Sequence, residues 1–329
     1  MLLPPARGPM GTALHALLLT AAPTSPDAAL PAGLAPDLDP TAAPDPEDAA
    51  QCLWVLHELH YRGFADVDDA WEWAPQLMTL RQGLEHDLEQ RLRERFAAGW
   101  EPVDPADDVT ALVQRIIETD DAPSLARHLQ RRGTREQALA LLRQRSLYHL
   151  KEADPTSWVV PRLTARPKAA LAEVQFDEYG GGDPARLHHR LFEQGMAAAG
   201  LEPDYGHYVG EATLPILEQN NAVSMFGLQR RLRGAAVGHF AAFEATSSVP
   251  SRQLAQGLRR LGIGEDMAGY YDEHVEADAV HEHLALVGVC GALVEEEPGL
   301  LADVALGAWT CLDLEARTAH DMLARWDAA

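Results

Sequence analysis

Apolar residues recur at three- and four-residue spacing through most of the chain, the pattern of helices that bury one face. In "EDAAQCLWVLHELHYRGF" they fall at Cys52, Leu53, Leu56, Leu59 and Tyr61, and Gly63 ends the run. "PQLMTLRQGLEHDLEQRLRERF", residues 75–96, repeats Leu at helical spacing between charge pairs. "DPADDVTALVQRIIE" opens with the Asp and Pro that helix N-termini favour. "TREQALALLRQRSLYHLKEAD" opens on Thr134 and stops before Pro155. Further helices are expected at about 166–179, 184–199, 210–222, 224–245, 251–261, 264–288 and 299–325. Gly180, Gly181, Gly182 and Pro184 break two of them.

No period-2 strand pattern stands out, so the expected class is all-α. A helical core over 134–329 follows a helical N-terminal region over 49–133. Residues 1–48 read as an arm and linker. The stretch 22–48 is rich in Pro, Ala and Asp and is expected to stay flexible, without packing a core.

Composition narrows the function classes. The 329 residues carry a net charge of −23. Nucleic acid and anionic membranes reward Lys/Arg surfaces, so neither is an expected partner. Cys52, Cys290 and Cys311 are odd in number and far apart, which points to buried thiols in a reducing compartment. The N-terminal apolar run has only Arg7 before it and is interrupted by His15. The expected location is therefore the cytoplasm. No run reaches the ~20 apolar residues that span a bilayer.

One stretch concentrates chemistry. "YDEHVEADAVHEH", residues 271–283, holds three histidines and five carboxylates. At about 100° per residue, His274, Asp278 and His281 fall near 0°, 40° and −20°, one stripe of one helix. Asp272, Glu273, Glu276 and Glu282 fall mostly elsewhere, and His283 is about 180° away. Apolar neighbours such as Met267, Tyr270 and Leu284 imply a partly buried helix, and buried His and Asp need partners. A polar face that happens to carry His is the plain alternative. A metal would satisfy all three together, but one helix supplies too few ligands. Glu152, Glu178 and His188 lie on other helices beside apolar residues, and each alone is a weak candidate.

The string "LKEADPTSWVVPRLTARPKAALAEVQFDEYGGGDPARLHHRLF", followed by "YYDEHVEADAVHEH", resembles the haem-oxygenase-like diiron oxidases and oxygenases. These are often described as iron-containing redox enzymes. "PPARGPMG", "LHELHYRGF" and "LRQGLE" also resemble the actinobacterial branch, so the likeness covers most of the chain from residue 5. The resemblance implies a haem-oxygenase-like helical bundle and a metal set of Glu152, Glu178, His188, His274, Asp278 and His281. It implies two Fe ions, O2 as co-substrate, an external reductant and electron donor, and a small-molecule substrate. Glu178 or Glu152 is the implied bridge. The implied activity is N-oxygenation of an amine or guanidine group in a biosynthetic pathway. O2-dependent C–C cleavage or desaturation of an amino or fatty acid is the alternative. A non-catalytic helical binding protein with a vestigial metal site is the second, and haem binding is a third. A homodimer through the N-terminal helices is possible. Tyr179 and Arg190, near the ligands in sequence, are weighed as substrate contacts against ordinary packing and surface roles.

Three motifs are set aside. "HELH" at 57–60 spaces its histidines at i and i+3, not the i and i+4 of a zincin, and reads as packing or capping groups. "GGGDP" lacks the Lys-Ser/Thr of a phosphate loop. "LQRRLRG" at 228–234 reads as a solvated helix face or an anchor for an anionic group.

Overall fold

The computed structural model describes residues 1–23, 25, 30–42 and 44–328, without the side chains of residues 42 and 276–280. The described residues form helices and no strand. In chain order they are α1 (Pro9–Leu18), α2 (Pro46–Glu58), α3 (Pro75–Gly99), α4 (Val109–Glu118), α5 (Leu125–Arg131), α6 (Arg135–His149), α7 (Asp154–Ser157), α8 (Ala165–Glu178), α9 (His188–Ala198), α10 (Leu214–Leu228), α11 (Arg233–Arg260) and α12 (Glu265–His283). A π-helical stretch, Leu284–Gly291, leads into α13 (Ala292–Glu296) and α14 (Leu301–Asp327). The fold is the all-α class expected from the periodicity.

Helix ends follow the cap chemistry in the sequence. Thr134 and Gln137 form a reciprocal capping box at the start of α6. Asp45 accepts from the backbone of Glu47 and Asp48 at the start of α2, with Pro46 as the first helical residue. Some boundaries differ from expectation. The break expected between 245 and 251 is absent: α11 continues through Pro250. The break comes earlier, at Gln229–Leu232, where a single 3-10 turn separates α10 from α11. The helix expected over 264–288 widens into π turns after His283.

The described part of 22–48 also departs from the expectation of an unpacked linker. Leu38 is buried in the same apolar cluster as α1, α2 and α3, with Leu30 and Leu34 against it. Asp48 accepts from the backbone N–H of Met10 and Gly11, both at 2.9 Å, and so ties α1 to α2. The leucines among the prolines carry enough apolar surface to dock, which composition alone averages away.

The N-terminal helices are not a separate layer. Trp54, Leu56, Leu84 and Leu88 share one buried cluster with Leu217, Met225 and Phe226 of α10. The "HELH" residues stitch that seam. His57 lies 3.0 Å from Glu85 of α3 and 3.3 Å from Asn221 of α10. Glu58 receives the Tyr205 hydroxyl at 2.6 Å. The basic segment 228–234 is paired as well: Arg231 binds Glu89 and Arg233 binds Glu297.

Two further clusters complete the core. One gathers α4, α8, the π-helical stretch and α14 against α11. The other gathers α5, α6, α9 and α12. Long helices α11 and α14 cross where Gly238 and Gly307 leave no side chain between them. A Cβ on Gly307 would collide with the carbonyl of Ala235. The three cysteines are free and buried. Among the described residues, no helix is long and apolar enough to cross a membrane.

Candidate metal centre

The ends of three helices and the faces of two others converge between the clusters. Helix α6 stops at His149, and the chain turns sharply at Ala153, whose φ of 72° is left-handed. That conformation costs an alanine ~1–2 kcal/mol. It is held by Gln175, which donates to the Ala153 carbonyl at 2.9 Å. The turn leaves Glu152 pointing inward, 4% exposed. Glu178 is the last residue of α8, and His188 is the first of α9. Between them Gly180, Gly181 and Gly182 all take positive φ, with Gly180 packed against the backbone of Arg186 and Leu187. Only glycine makes that reversal cheaply, and it brings the two helix ends, and both side chains, together.

Helix α12 supplies His274 and His281 from the stripe that the periodicity marks. Both are buried, whereas His283 is exposed. Asp278, the third expected residue of the stripe, has a side chain outside the described residues. Helix α11 adds Glu244, which the sequence reading did not select. Its signal was there: a lone carboxylate in "HFAAFEAT" among residues at buried helical spacing. The signal was weak because one Glu on an apolar face has no companion at fixed spacing.

Two groups of ligand-type atoms result, each with its atoms within 4.8 Å of one another. The first joins Glu152, Glu178, His188 and His274. The second joins Glu178, Glu244 and His281. Glu178 belongs to both. His188 Nδ1 faces Glu178 Oε2 at 2.9 Å. His274 Nε2 is 3.6 Å from Glu152 Oε1. His281 Nδ1 is 3.4 Å from Glu244 Oε2 and 3.7 Å from Glu178 Oε1.

The donor atoms fit a metal better than they fit each other. His188 Nδ1, His274 Nε2, His281 Nδ1 and Glu178 Oε2 are buried, and none makes a hydrogen bond of acceptable geometry. A buried polar atom left without a hydrogen bond costs ~1–3 kcal/mol, and here four of them converge. The far side of each ring is anchored, as a metal-binding His requires. His274 Nδ1 donates to the Tyr270 carbonyl at 2.8 Å, and His281 Nε2 donates to Asp177 at 3.2 Å. Glu152 accepts the Tyr270 hydroxyl at 2.7 Å and lies 3.1 Å from His149 Nδ1.

Charge tells the same story. Burial alone would push His274 toward neutrality, but the carboxylates of Glu152 and Glu178 outweigh it and hold the ring up at about 10. Burial likewise opposes protonation of His281, but Glu244, Asp177 and Glu178 hold it up at about 9. Glu152 is held well below the usual carboxylate range, its burial outweighed by His149 and His274. Without metal, protons on the rings balance the carboxylates. A cation entering here would displace them.

Tyr179 and Arg190 are engaged elsewhere. The Tyr179 hydroxyl bonds Ser157 and Asp154, and Arg190 pairs with Glu193 on the surface of α9. The space bounded by Glu152, Glu178, Glu244 and His274 is only about 10 Å³. That volume suits water-sized groups.

Comparison with known proteins agrees with this chemistry. No curated protein matches the chain in sequence. Among solved structures it is similar to a CADD-like protein of unknown function from Nostoc punctiforme, at 14% identity over 72% of this chain and 96% of that one, with a TM-score of 0.48. At that distance the likeness says nothing about activity. Residues 139–316, more than half of the sequence and all of the residues converging here, match the model of a family described as iron-containing redox enzymes. The chain belongs to that family, and its buried His/Glu cluster could bind metal.

Proposed function

We propose that the protein is an O2-dependent non-haem diiron oxygenase acting on a small-molecule substrate, by N-oxygenation of an amine or guanidine group. The observation that supports this most directly is Glu178, a buried carboxylate shared by two donor groups. In such a two-metal centre Glu178 would help to hold both ions. Glu152, His188 and His274 would hold one ion. Glu244 and His281 would hold the other, with Asp278 on the same helix as His281. Carboxylate-rich, imidazole-completed sites suit ferrous iron.

Iron bound here would supply electrons to O2 and thereby the oxidant for the substrate. The chain's own residues do the rest. Tyr270 and Asp177 fix Glu152 and His281 in orientation. Phe240, Phe243 and Tyr148 line the space beside the carboxylates and keep bulk water from it. Excluding water strengthens each electrostatic contact inside and protects the oxidant from side reactions.

The test is anaerobic loading with Fe(II), followed by metal analysis and then exposure to O2 with a reductant. The expected result is about two iron atoms per chain and O2 consumption that depends on them. A chain that retains no iron after loading sinks the reading. Product analysis with amine, guanidine and fatty-acid substrates then separates oxygenation at nitrogen from C–C cleavage or desaturation.

A further inference from the structure

A second, larger cavity of about 230 Å³ lies next to the cluster, between α5, α6, α11, α12 and α14. It is smaller than the roughly 300–1,000 Å³ pockets of drug-sized ligands, and so fits something the size of an amino acid. Its walls are mostly apolar, with Leu141, Leu254 and Leu312 among them. Phe243 lines both this cavity and the small space beside the carboxylates, and so forms the partition between them.

Among the polar groups on its wall, Arg145, Glu315 and Tyr271 come from three different helices. Arg145 of α6 pairs with Glu315 of α14, and both line the cavity. The Arg145 side chain is 15% exposed, while that of Glu315 is 38% exposed. Tyr271 lines the same cavity, is 3% exposed, and its hydroxyl has no hydrogen-bond partner. Burial raises its pKa, so the phenol stays a donor. A purely structural ion pair needs no orphan phenol beside it. A ligand carrying both charges uses all three.

We propose that the Arg145–Glu315 pair anchors the head of a zwitterionic substrate, an α-amino acid, with the carboxylate on Arg145 and Tyr271 and the ammonium on Glu315. Arg145 precedes His149 by one helical turn, ~6 Å along α6. His149 in turn contacts Glu152. A head held at Arg145 therefore directs an extended side chain along the apolar wall toward Phe243 and the cluster. Arg145, Tyr271 and Glu315 are specificity-determining residues in this assignment, and none is a candidate metal ligand.

What happens to the far end of that side chain rests on the oxygenase reading, but the anchor does not, so binding is measured on the metal-free full-length chain. Three probes of similar tail length separate the charges: L-norleucine, hexanoate without the ammonium, and 1-aminopentane without the carboxylate. Calorimetry should show L-norleucine binding at least ~10-fold tighter than either single-charge probe. Tyr271→Phe and Glu315→Gln keep shape and should each weaken L-norleucine by ~10-fold, and Arg145→Met should do so at least as much. Tyr271→Phe, the mildest change, decides the case if Arg145→Met does not fold. Hexanoate or 1-aminopentane binding as tightly as L-norleucine overturns the assignment. So does the absence of any L-norleucine binding, or unchanged binding in Tyr271→Phe and Glu315→Gln. Zwitterion binding by a chain that retains no iron after anaerobic Fe(II) loading would instead leave the anchor standing and remove the oxygenase.

Discussion

Lys151 Nζ lies 3.8 Å from Glu58 Oε2, with both side chains buried. The ammonium also sits 4.5 Å from the centre of the Tyr61 ring. Lys151 immediately precedes Glu152, so α2 of the N-terminal region is clamped beside the candidate metal centre. Burial lowers the pKa of Lys151 and raises that of Glu58, and each partner's charge opposes the other's shift. Breaking one half of a buried pair typically costs ~3–5 kcal/mol, because the other charge is left uncompensated.

Lys151→Met should therefore destabilise by about that amount in urea unfolding. Adding Glu58→Leu to it should recover much of the loss, since removing both charges together can be near neutral. If Lys151→Met alone is as stable as the native chain, the clamp is not an energetic element of the fold.

The register of α12 is tested by its histidines. His281→Ala removes a convergent donor and should weaken Fe(II) binding by more than the 10–100-fold that loss of an orienting partner costs in other metal sites. His283→Ala changes an exposed residue on the opposite side and should leave iron content and far-ultraviolet circular dichroism unchanged. Equal damage from the two would mean that the stripe has been misplaced.

The crossing of α11 and α14 has no room for a methyl group at Gly307. Gly307→Ala must push backbone apart and should cost about 3 kcal/mol or more, at the top of the range for overpacking. Gly299→Ala, where nothing lies within 4 Å, should stay within about 0.5 kcal/mol of the native chain. Urea midpoints of the two variants measure the contrast.

His239 gives a pH signature apart from the candidate metal centre. It is buried on α11, its Nε2 has no partner, and burial lowers its pKa to about 4. Above an unfolded value of ~6.5 both states hold the ring neutral, and the full stability is present. As pH falls from there toward 4, the unfolded chain takes up a proton that the folded chain refuses. Stability is lost progressively, by up to about 3 kcal/mol. His239→Phe should flatten urea stability between pH 6.5 and 4 relative to the native chain. An identical pH slope in both would assign the acid sensitivity elsewhere.

The amino-acid sequence by itself carried the helical class, most helix starts and the stripe of α12, because periodicity, caps and glycines act over a few residues and are written locally. Glu152, Glu178 and His188 are joined by no local rule; the resemblance to a known family singled them out, and the structure brings these three together with His274, and Glu178 together with His281. Tertiary structure decided what depends on approach between distant segments. Glu244 enters the centre only because α11 packs against α12 and presents a carboxylate that has no partner at fixed spacing in the sequence. Leu38 is buried only because α1, α2 and α3 leave an apolar surface for it. Arg145, Tyr271 and Glu315 meet from three helices across 170 positions of chain. Burial and convergence are properties of packing, and side chains brought together that way leave no periodic trace in the order of residues.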